Sequence, residues 1–308
     1  MRRQLVSTGA KWENKVGYSR AVRVGRQIFV SGTTAVNTKG RVVGEGDVRI
    51  QARRIFEIVA AALTEAGSCL EDVVRTRMFV TDIAAAAALG RVHAEVFGQI
   101  RPAATLVEVS RLIDPALLVE IEADAIAGSG GADAVILAGG KSKRMGRDKS
   151  RIRLGRRTLL GHARAAVADA GLKPRVVATD LQPGLGPLGG IVTALRSAKH
   201  SRVLFLGCDM PFMTGELIKE FLSAATDGIG PIFTRHKKGV GFPFVLRRSD
   251  LVLVGKQMDC GALSLQRLAK RLKAREWQPP ASQVSELFNI NTSADLAEAK
   301  RRLKVAGC

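Results

Sequence analysis

Residues 134–149 combine an apolar run, a glycine turn and a series of cations. The apolar residues 134–137 predict a buried strand, and Gly139-Gly140 follow it almost directly. Glycines at such a point let backbone N–H groups approach a ligand closely. Five cations come next, at Lys141, Lys143, Arg144, Arg147 and Lys149. A strand that ends in glycines and cations predicts a polyphosphate site.

Two later segments carry oxygen groups that suit a metal ion bound to phosphates. Asp209 follows the apolar run 202–206, and Asn291 lies in Phe288-Asn-Ile-Asn-Thr-Ser. Carboxylate and amide oxygens are ligands that Mg²⁺ accepts. Asp209 could equally cap a helix near Gly215, and Thr292 or Ser293 could cap the last helix. The residue types alone leave both interpretations open.

A third segment, Gly184-Leu-Gly-Pro-Leu-Gly189, matches the G-x-G-x-x-G pattern of dinucleotide-binding folds. Pro187 removes a backbone donor where a pyrophosphate needs one. The earlier glycine turn also competes for the phosphate. These features argue against a nicotinamide fold.

The second half of the chain alternates strands with helices. Strands are predicted at 134–137, 175–179 and 202–206, and helices at 158–170, 191–197 and 215–225. This order predicts a doubly wound α/β domain, in which ligands bind beyond the carboxyl ends of the strands. The glycine turn and Asp209 both fall at that edge.

The first half predicts an α+β domain with helices on one face of a sheet. Strands are expected at 21–24, 27–31, 73–80, 105–110 and 118–126, and helices at 47–66 and 84–100. Ala127-Gly-Ser-Gly-Gly-Ala132 is predicted to be a flexible linker. The expected domains are therefore residues 1–128 and 129–308.

Composition limits the partners. The 308 residues carry a net charge of +20, and residues 129–308 contribute 31 Lys and Arg against 14 Asp and Glu. A nucleic acid, an anionic membrane or a small polyanion such as a nucleotide could explain this charge. An aromatic content of 5% disfavours nucleic acid. Four separated cysteines and four histidines lack zinc spacing, and free thiols suit the cytoplasm. No apolar run reaches membrane-spanning length, so we expect no membrane contact.

The second half resembles the molybdenum cofactor guanylyltransferase (MobA-like) family over about residues 133–304. The resemblance rests on residues 137–149, Gly186-Pro-Leu-Gly-Gly-Ile191, Cys208-Asp-Met-Pro-Phe212 and Asn289-Ile-Asn-Thr292, in family order. It implies a Mg²⁺-dependent nucleotidyltransferase that joins GMP from GTP to molybdopterin or its molybdenum-loaded form and releases pyrophosphate.

The resemblance also implies roles for individual residues. The implied catalytic residues are Lys149, Asp209 and Arg144, and the implied metal ligands are Asp209 and Asn291. The implied nucleotide-binding residues are Leu137, Ala138, Gly139, Gly140, Lys149, Asp180 and Asp209. The family normally inserts a helix and a strand near residues 180–183, which this chain lacks. A CTP-dependent cytidylyltransferase and an inactive nucleotide-binding sensor therefore remain alternatives.

The first half resembles the Rid (YjgF-like) family, with its chorismate mutase-like fold, across residues 16–127. The motifs are Val30-Ser-Gly-Thr-Thr-Ala35, Phe79-Val-Thr-Asp82 and residues 101–109. The resemblance implies a homotrimer with clefts between subunits, lined here by Tyr18, Ser31, Arg101 and Glu120. Family members that hydrolyse imines and enamines use the arginine of a Pro-Ala-Arg triplet, but this chain has Pro102-Ala103-Ala104. We therefore expect altered or lost activity, with imine hydrolysis as the alternative.

Overall fold

The computed structural model describes residues 3–138, 148–178, 186–237 and 239–306. The chain separates into two compact units, Met1–Gly131 and Ala132–Cys308. Several residues implied by the resemblance lie outside the described residues: Gly139, Gly140, Arg144, Asp180 and the short connection that follows residue 179. Each unit is described separately.

The first unit is built on a six-stranded sheet in the order β1-β2-β3-β6-β4-β5. Neighbouring strands are antiparallel except for β4 and β5, which are parallel. The strands are β1 (Arg3–Val6), β2 (Ala21–Val24), β3 (Gln27–Thr34), β4 (Val73–Val80), β5 (Ala103–Glu108) and β6 (Val119–Ile126).

Helices cover one face of this sheet. They are α2 (Val48–Glu65) and α3 (Ala86–Phe97), whose buried residues share one core with the strands, and a short helix α1 (Lys11–Val16) precedes β2. Asp47 begins α2, because its carboxylate accepts the N–H groups of Arg49 and Ile50. Alternate residues of β6, from Val119 to Ala125, are buried against the helices, and the intervening acidic residues are only half-buried.

The observed bounds differ from the predicted ones where irregular backbone intervenes. Strand β3 continues to Thr34, past a break in its pairing with β6 between Val30 and Thr33. The helix predicted at 84–100 is a 3-10 turn at Ile83–Ala85 followed by α3, which ends at Phe97. Neither β1 nor α1 was predicted, because both are short and lack a clear apolar period.

The second unit has a mixed six-stranded sheet in the order β10-β7-β11-β13-β12-β14, with a separate β8–β9 hairpin. Strands β10, β7 and β11 are parallel, and β13 is antiparallel to β11. The strands are β7 (Asp133–Leu137), β8 (Arg153–Leu154), β9 (Arg157–Thr158), β10 (Pro174–Val177), β11 (Arg202–Gly207), β12 (Ile232–His236), β13 (Gly239–Arg247) and β14 (Arg275–Trp277).

Helices lie on both faces of this sheet, as the doubly wound pattern predicts. Side chains of α4 and α6 form one core with Ala134 and Ile136, whereas α5, α7 and α8 share another with Val135. No helix among the described residues is both long and apolar enough to cross a membrane. The helices are α4 (Leu159–Asp169), α5 (Gly186–Arg196), α6 (Gly215–Thr226), α7 (Leu251–Asp259), α8 (Leu265–Arg271) and α9 (Ser293–Ala306).

Helix α5 begins five residues before its predicted start. Gly186 to Gly189, the second part of the glycine motif, therefore lie in the first helical turn. The strands β12 and β13 were not predicted, because glycines and Pro243 interrupt the alternating pattern between residues 232 and 247. Strand β14 was not predicted because it has only three residues.

The prediction of a flexible linker at residues 127–132 is wrong for most of its length. The fully buried carboxylate of Asp72 accepts hydrogen bonds from the N–H groups of Gly128 (3.1 Å) and Gly130 (3.0 Å). The Ser129 hydroxyl donates to the carbonyl of Asp72 at 3.1 Å. A side chain at Gly130 would meet the Glu71 carbonyl oxygen at 2.6 Å, so glycine allows close packing here. The segment is an ordered turn of the first unit.

We predict that Asp72→Ala releases this turn. Charge-assisted hydrogen bonds to two backbone amides are lost, and the unfolding free energy should fall by about 2–4 kcal/mol. Hydrogen–deuterium exchange should accelerate at Gly128 and Gly130. The matched control is Asp114→Ala, since Asp114 is exposed and accepts one amide, that of Ala116. Equal exchange in the two variants would contradict the anchoring role.

Candidate functional site

The carboxyl ends of three parallel strands meet at one edge of the second sheet. Leu137 at the end of β7 pairs with Val177 of β10 and Gly207 of β11. The Ala138 N–H donates to the Val177 carbonyl at 3.0 Å, and the Cys208 N–H donates to the Leu137 carbonyl at 3.3 Å. The backbone after β7 therefore lies beside the segment that carries Asp209.

Asp209 is held close to the end of β11. A Cβ atom at Gly207 would lie 2.6 Å from Oδ1 of Asp209, so a side chain at 207 would displace the carboxylate. The Asp209 carbonyl accepts the Ile290 N–H at 2.9 Å. This bond ties the Asn289–Thr292 segment to the sheet edge and brings Asn291 next to Asp209.

Lys149 joins these two segments through its ammonium group. Its Nζ atom lies 3.2 Å from Oδ2 of Asp209 and 2.9 Å from Oδ1 of Asn291. The Lys149 and Asp209 side chains are only 18% and 21% exposed. Partial burial strengthens the attraction between the two charges. Three residues that are distant in sequence thus form one cluster, which we call the Lys149 site.

Local structure fixes the position of Lys149. The lysine begins a 3-10 turn at Lys149–Arg151, and the carboxylate of Asp148 caps this turn by accepting the Ser150 N–H at 2.9 Å. The next residues, Ile152 and Leu154, are buried in a small core together with Ile290. The backbones that carry Lys149 and Asn291 therefore pack against each other.

Asp295 fixes Asn291 and was missed by the sequence analysis. Its carboxylate accepts the N–H groups of Asn291 (2.9 Å) and Thr292 (2.8 Å), and Thr292 Oγ1 accepts the Asp295 N–H at 3.1 Å. Burial raises the pKa of Asp295, but these hydrogen bonds and the charge of Lys149 outweigh it, and the pKa is lowered. The sequence signal for this arrangement was the Thr-x-x-Asp spacing, which is typical of reciprocal capping at the start of a helix.

The geometry resolves the alternatives that the sequence left open. Helix α6 is capped by Thr214, whose side chain accepts the Leu217 N–H, so Asp209 does not cap it. Thr292 caps α9, as one interpretation held. Asn291 is thus the residue of this segment whose side chain bonds to Lys149.

The side-chain oxygens of Asp209 and Asn291 that contact Lys149 are of a type that suits a magnesium ion. Mg²⁺ prefers hard oxygen ligands and commonly uses one or two protein groups, with waters and substrate phosphates completing its shell. Oδ2 of Asp209 and Oδ1 of Asn291 already contact a single atom, the ammonium nitrogen. The described residues contain no cluster of three or more His, Cys, Asp or Glu side chains suited to a metal.

Tyr18, Ser31 and Glu120, which were predicted to line the cleft, lie near the break in the pairing between β3 and β6. Arg20 was not predicted, yet its guanidinium donates to Ser31 Oγ (3.3 Å) and the Gly32 carbonyl (2.9 Å) and lies 5.9 Å from the Tyr18 ring. A Cβ atom at Gly32 would lie 2.0 Å from Oε1 of Glu120. Burial and the neighbouring Glu122 raise the pKa of Glu120, and Arg20 opposes them.

Within one subunit Arg101 lies apart from Glu120, and its place in a cleft between subunits stays a prediction. Strand β5 begins at Ala103, which pairs with Arg75, whereas Glu120 pairs with Phe79 four residues farther along β4. That offset corresponds to about 13 Å along the strand. Arg101 has a φ of +53°, and its Nε donates to the Gly98 carbonyl at 3.3 Å.

Comparison with known proteins identifies the second unit. A family model described as a MobA-like NTP transferase domain matches residues 134–275. A molybdenum cofactor guanylyltransferase of Rhizobium johnstonii is 31% identical over 193 residues, covering 55% of this chain and 92% of that protein. The alignment has 193 positions, whereas 55% of the 308 residues of this chain is only about 170 residues. The relative therefore contains residues that have no counterpart in this chain.

The first unit matches another family. The family model named Endoribonuclease L-PSP matches residues 8–127. A RutC family protein of Pyrococcus abyssi is 39% identical over 106 residues, covering 34% of this chain and 83% of that protein. A solved structure of a Mycobacterium tuberculosis protein of the YjgF/YER057c/UK114 family is 49% identical and covers 41% of this chain and 99% of its own, with a TM-score of 0.38.

These matches confirm both resemblances, and they fall on separate units of the chain. The chain therefore belongs to two families, carrying a Rid-like (Endoribonuclease L-PSP) domain followed by a MobA-like NTP transferase domain.

Proposed function

We propose that the second domain transfers GMP from GTP to the terminal phosphate of molybdopterin or its molybdenum-loaded form. The Lys149 site carries this proposal, because it places a cation and two metal-ligating oxygens beyond the parallel strands. Ligands of open α/β sheets bind at that edge. The guanylyltransferase name of the Rhizobium relative supports the choice of reaction.

The reaction requires little covalent chemistry from the protein. A phosphate oxygen of the pterin attacks the α-phosphorus of GTP and forms a new P–O bond. The bond between the α-phosphorus and the bridging oxygen breaks, and pyrophosphate leaves with the electron pair. Catalysis then depends on positioning and on neutralising charge at the phosphates.

Lys149 is the residue that neutralises the leaving group in this proposal. Its ammonium lies beside the side-chain oxygens of Asp209 and Asn291. These two oxygens would hold Mg²⁺, and the neighbouring ammonium of Lys149 would pair with phosphate oxygens. A bound Mg²⁺ supplies charge neutralisation to the triphosphate.

The remaining nucleotide contacts are assigned by position. The backbone of Leu137 and Ala138 lies next to the Asp209 segment and can approach the nucleotide there. We assign the triphosphate and the base to Gly139, Gly140, Arg144 and Asp180, which lie outside the described residues. Selectivity for guanine over cytosine is part of the proposal.

The proposed reaction is tested by measuring pyrophosphate release from a mixture of protein, Mg²⁺, molybdopterin and each NTP. GTP should give release, and Lys149→Met and Asp209→Asn should each lower the rate at least about 100-fold, since the first removes a cation that neutralises the phosphates and the second weakens the proposed hold on Mg²⁺. Lys199→Met is the matched control, because Lys199 is exposed on a turn of the same domain. Melting temperatures should establish that all variants are folded.

Two results would contradict the proposal. No release with any NTP, while a MobA-family enzyme releases pyrophosphate in parallel, would remove the transferase activity. GTP binding by calorimetry in that case would favour a nucleotide sensor. Release with CTP alone would change the assigned base and leave the phosphate chemistry intact.

We also propose that the first domain forms a homotrimer. Its helices cover one sheet face, and the other face exposes Phe29 (47%), Val107 (41%) and Ile126 (38%). A cavity of about 360 Å³ on this face is lined by Phe29 and Arg77, among others. An open sheet face with apolar residues favours association. With alanine at position 104, the proposal assigns this domain to assembly rather than to imine hydrolysis.

The assembly prediction is tested by sedimentation velocity. The parent chain should sediment as a trimer, and Phe29→Glu with Val107→Glu should shift it to a monomer, because each charge would have to be buried in the interface. Ile113→Glu is the control, since Ile113 is 84% exposed outside the sheet. A monomeric parent, or a trimer that survives both substitutions, would disprove this interface.

A further inference from the structure

Four exposed arginines follow Lys149, one at the end of its 3-10 turn and three on the β8–β9 hairpin. They are Arg151, Arg153, Arg156 and Arg157, and we call residues 151–158 the arginine hairpin. Ile152 and Leu154 alternate with the first two arginines and are buried. The hairpin is thus held by its apolar residues and presents its cations to solvent.

These cations have few acidic partners. Arg151 lies 3.5 Å from Asp148 but is 89% exposed. No ion pair involves Arg153, Arg156 or Arg157 within the part of the chain that the structure describes. By contrast, Arg301 and Arg302 of α9 share Glu298. Unpaired like charges at this density repel one another, which disfavours a purely structural role.

Helix α9 adds positive charge beside the hairpin tip. A Cβ atom at Gly155 would lie 2.6 Å from Cδ2 of Leu303, so the last turns of α9 pack against the tip. Lys300 and Lys304 are exposed on these turns. The arginine hairpin and these two lysines form one electropositive surface.

This surface lies close to the Lys149 site. Arg153 is four residues from Lys149 and therefore at most about 14 Å away along the chain. Ile152 and Leu154 share a core with Ile290, which precedes Asn291. At low ionic strength the Debye length is about 30 Å, so charges on the hairpin change the electrostatic potential at the Lys149 site.

We propose that the arginine hairpin and the two α9 lysines steer nucleoside triphosphates to the Lys149 site. The inference rests on the proposed nucleotide chemistry and adds a role outside the catalytic cluster. Exposed charge around a site raises the association rate of an oppositely charged ligand, and salt removes the effect. The surface therefore acts on association and leaves the bound complex unchanged.

Nucleic acid is a less suitable partner for this surface. Residues 149–158 and α9 contain no aromatic side chain on which a base could stack. The hairpin strands are only two residues long each. A small polyanion requires neither feature.

The test is stopped-flow binding of N-methylanthraniloyl-GTP with Mg²⁺ to the full chain. The variant Arg153→Gln, Arg156→Gln, Arg157→Gln should lower the association rate constant about 5–10-fold in about 10 mM salt. The rates should converge in about 1 M salt, where the Debye length is about 3 Å. The dissociation rate constant should not change.

The control removes the same charge from α8, with Arg267→Gln, Lys270→Gln and Arg271→Gln, because α8 packs on a different core. Equal association rates in the two variants, or a faster dissociation in the hairpin variant, would overturn steering. Loss of oligonucleotide binding with unchanged nucleotide association would assign the surface to nucleic acid instead. No binding by the parent chain would overturn both this inference and the proposed function, whereas normal binding with unchanged rates would overturn steering alone.

Discussion

The ammonium group of Lys149 is the point on which the nucleotidyltransferase domain depends. It connects the turn after residue 148, the end of β11 and the start of α9, which are separate in sequence. Both charged side chains are largely withdrawn from water. A partly buried carboxylate without its cation is strongly destabilising, so each partner keeps the other in place. The pair therefore helps to hold the three segments of the site together.

The contact of Lys149 with Asp209 and Asn291 also bears on which cation these two oxygens can bind. The oxygens that suit a divalent cation are already used by an ammonium of lower charge. Neighbouring elements keep those oxygens in position, because Gly207 admits the Asp209 carboxylate and Asp295 holds the Asn291 backbone. The cluster is thus preorganised for a cation, and little rearrangement is required when ligands change.

Local signals in the sequence predicted the parts of the molecule that depend on neighbours along the chain. Asp47 marked the start of α2, and alternation marked β6. The predicted parallel strands placed the segments of Lys149 and Asp209 at one sheet edge, and the family resemblance implied Asn291 as a further metal ligand. The structure brings these three residues together. Short strands and irregular bounds were missed, because they depend on pairing rather than on composition.

The errors arose where a distant residue decides the local structure. Glycine and serine composition predicts flexibility at residues 127–132, but Asp72 lies far upstream and satisfies the amides of that segment. Strand β3 was predicted to end at Ser31, yet its pairing with β6 extends it to Thr34. Register and long-range hydrogen bonds are properties of the folded sheet, and a linear pattern carries no direct record of them.

The two domains also differ in how their charged side chains are arranged, and the difference matches their proposed functions. In the first domain Arg77 of β4 contacts both Glu122 and Asp124 of β6. Pairing of this kind leaves a sheet face that another subunit can cover without burying unpaired charge. The second domain carries most of the net positive charge, and part of it lies in solvent near the Lys149 site, on the arginine hairpin. A basic surface favours an anionic ligand there, so the net charge of the chain reflects the transferase domain rather than the fold as a whole.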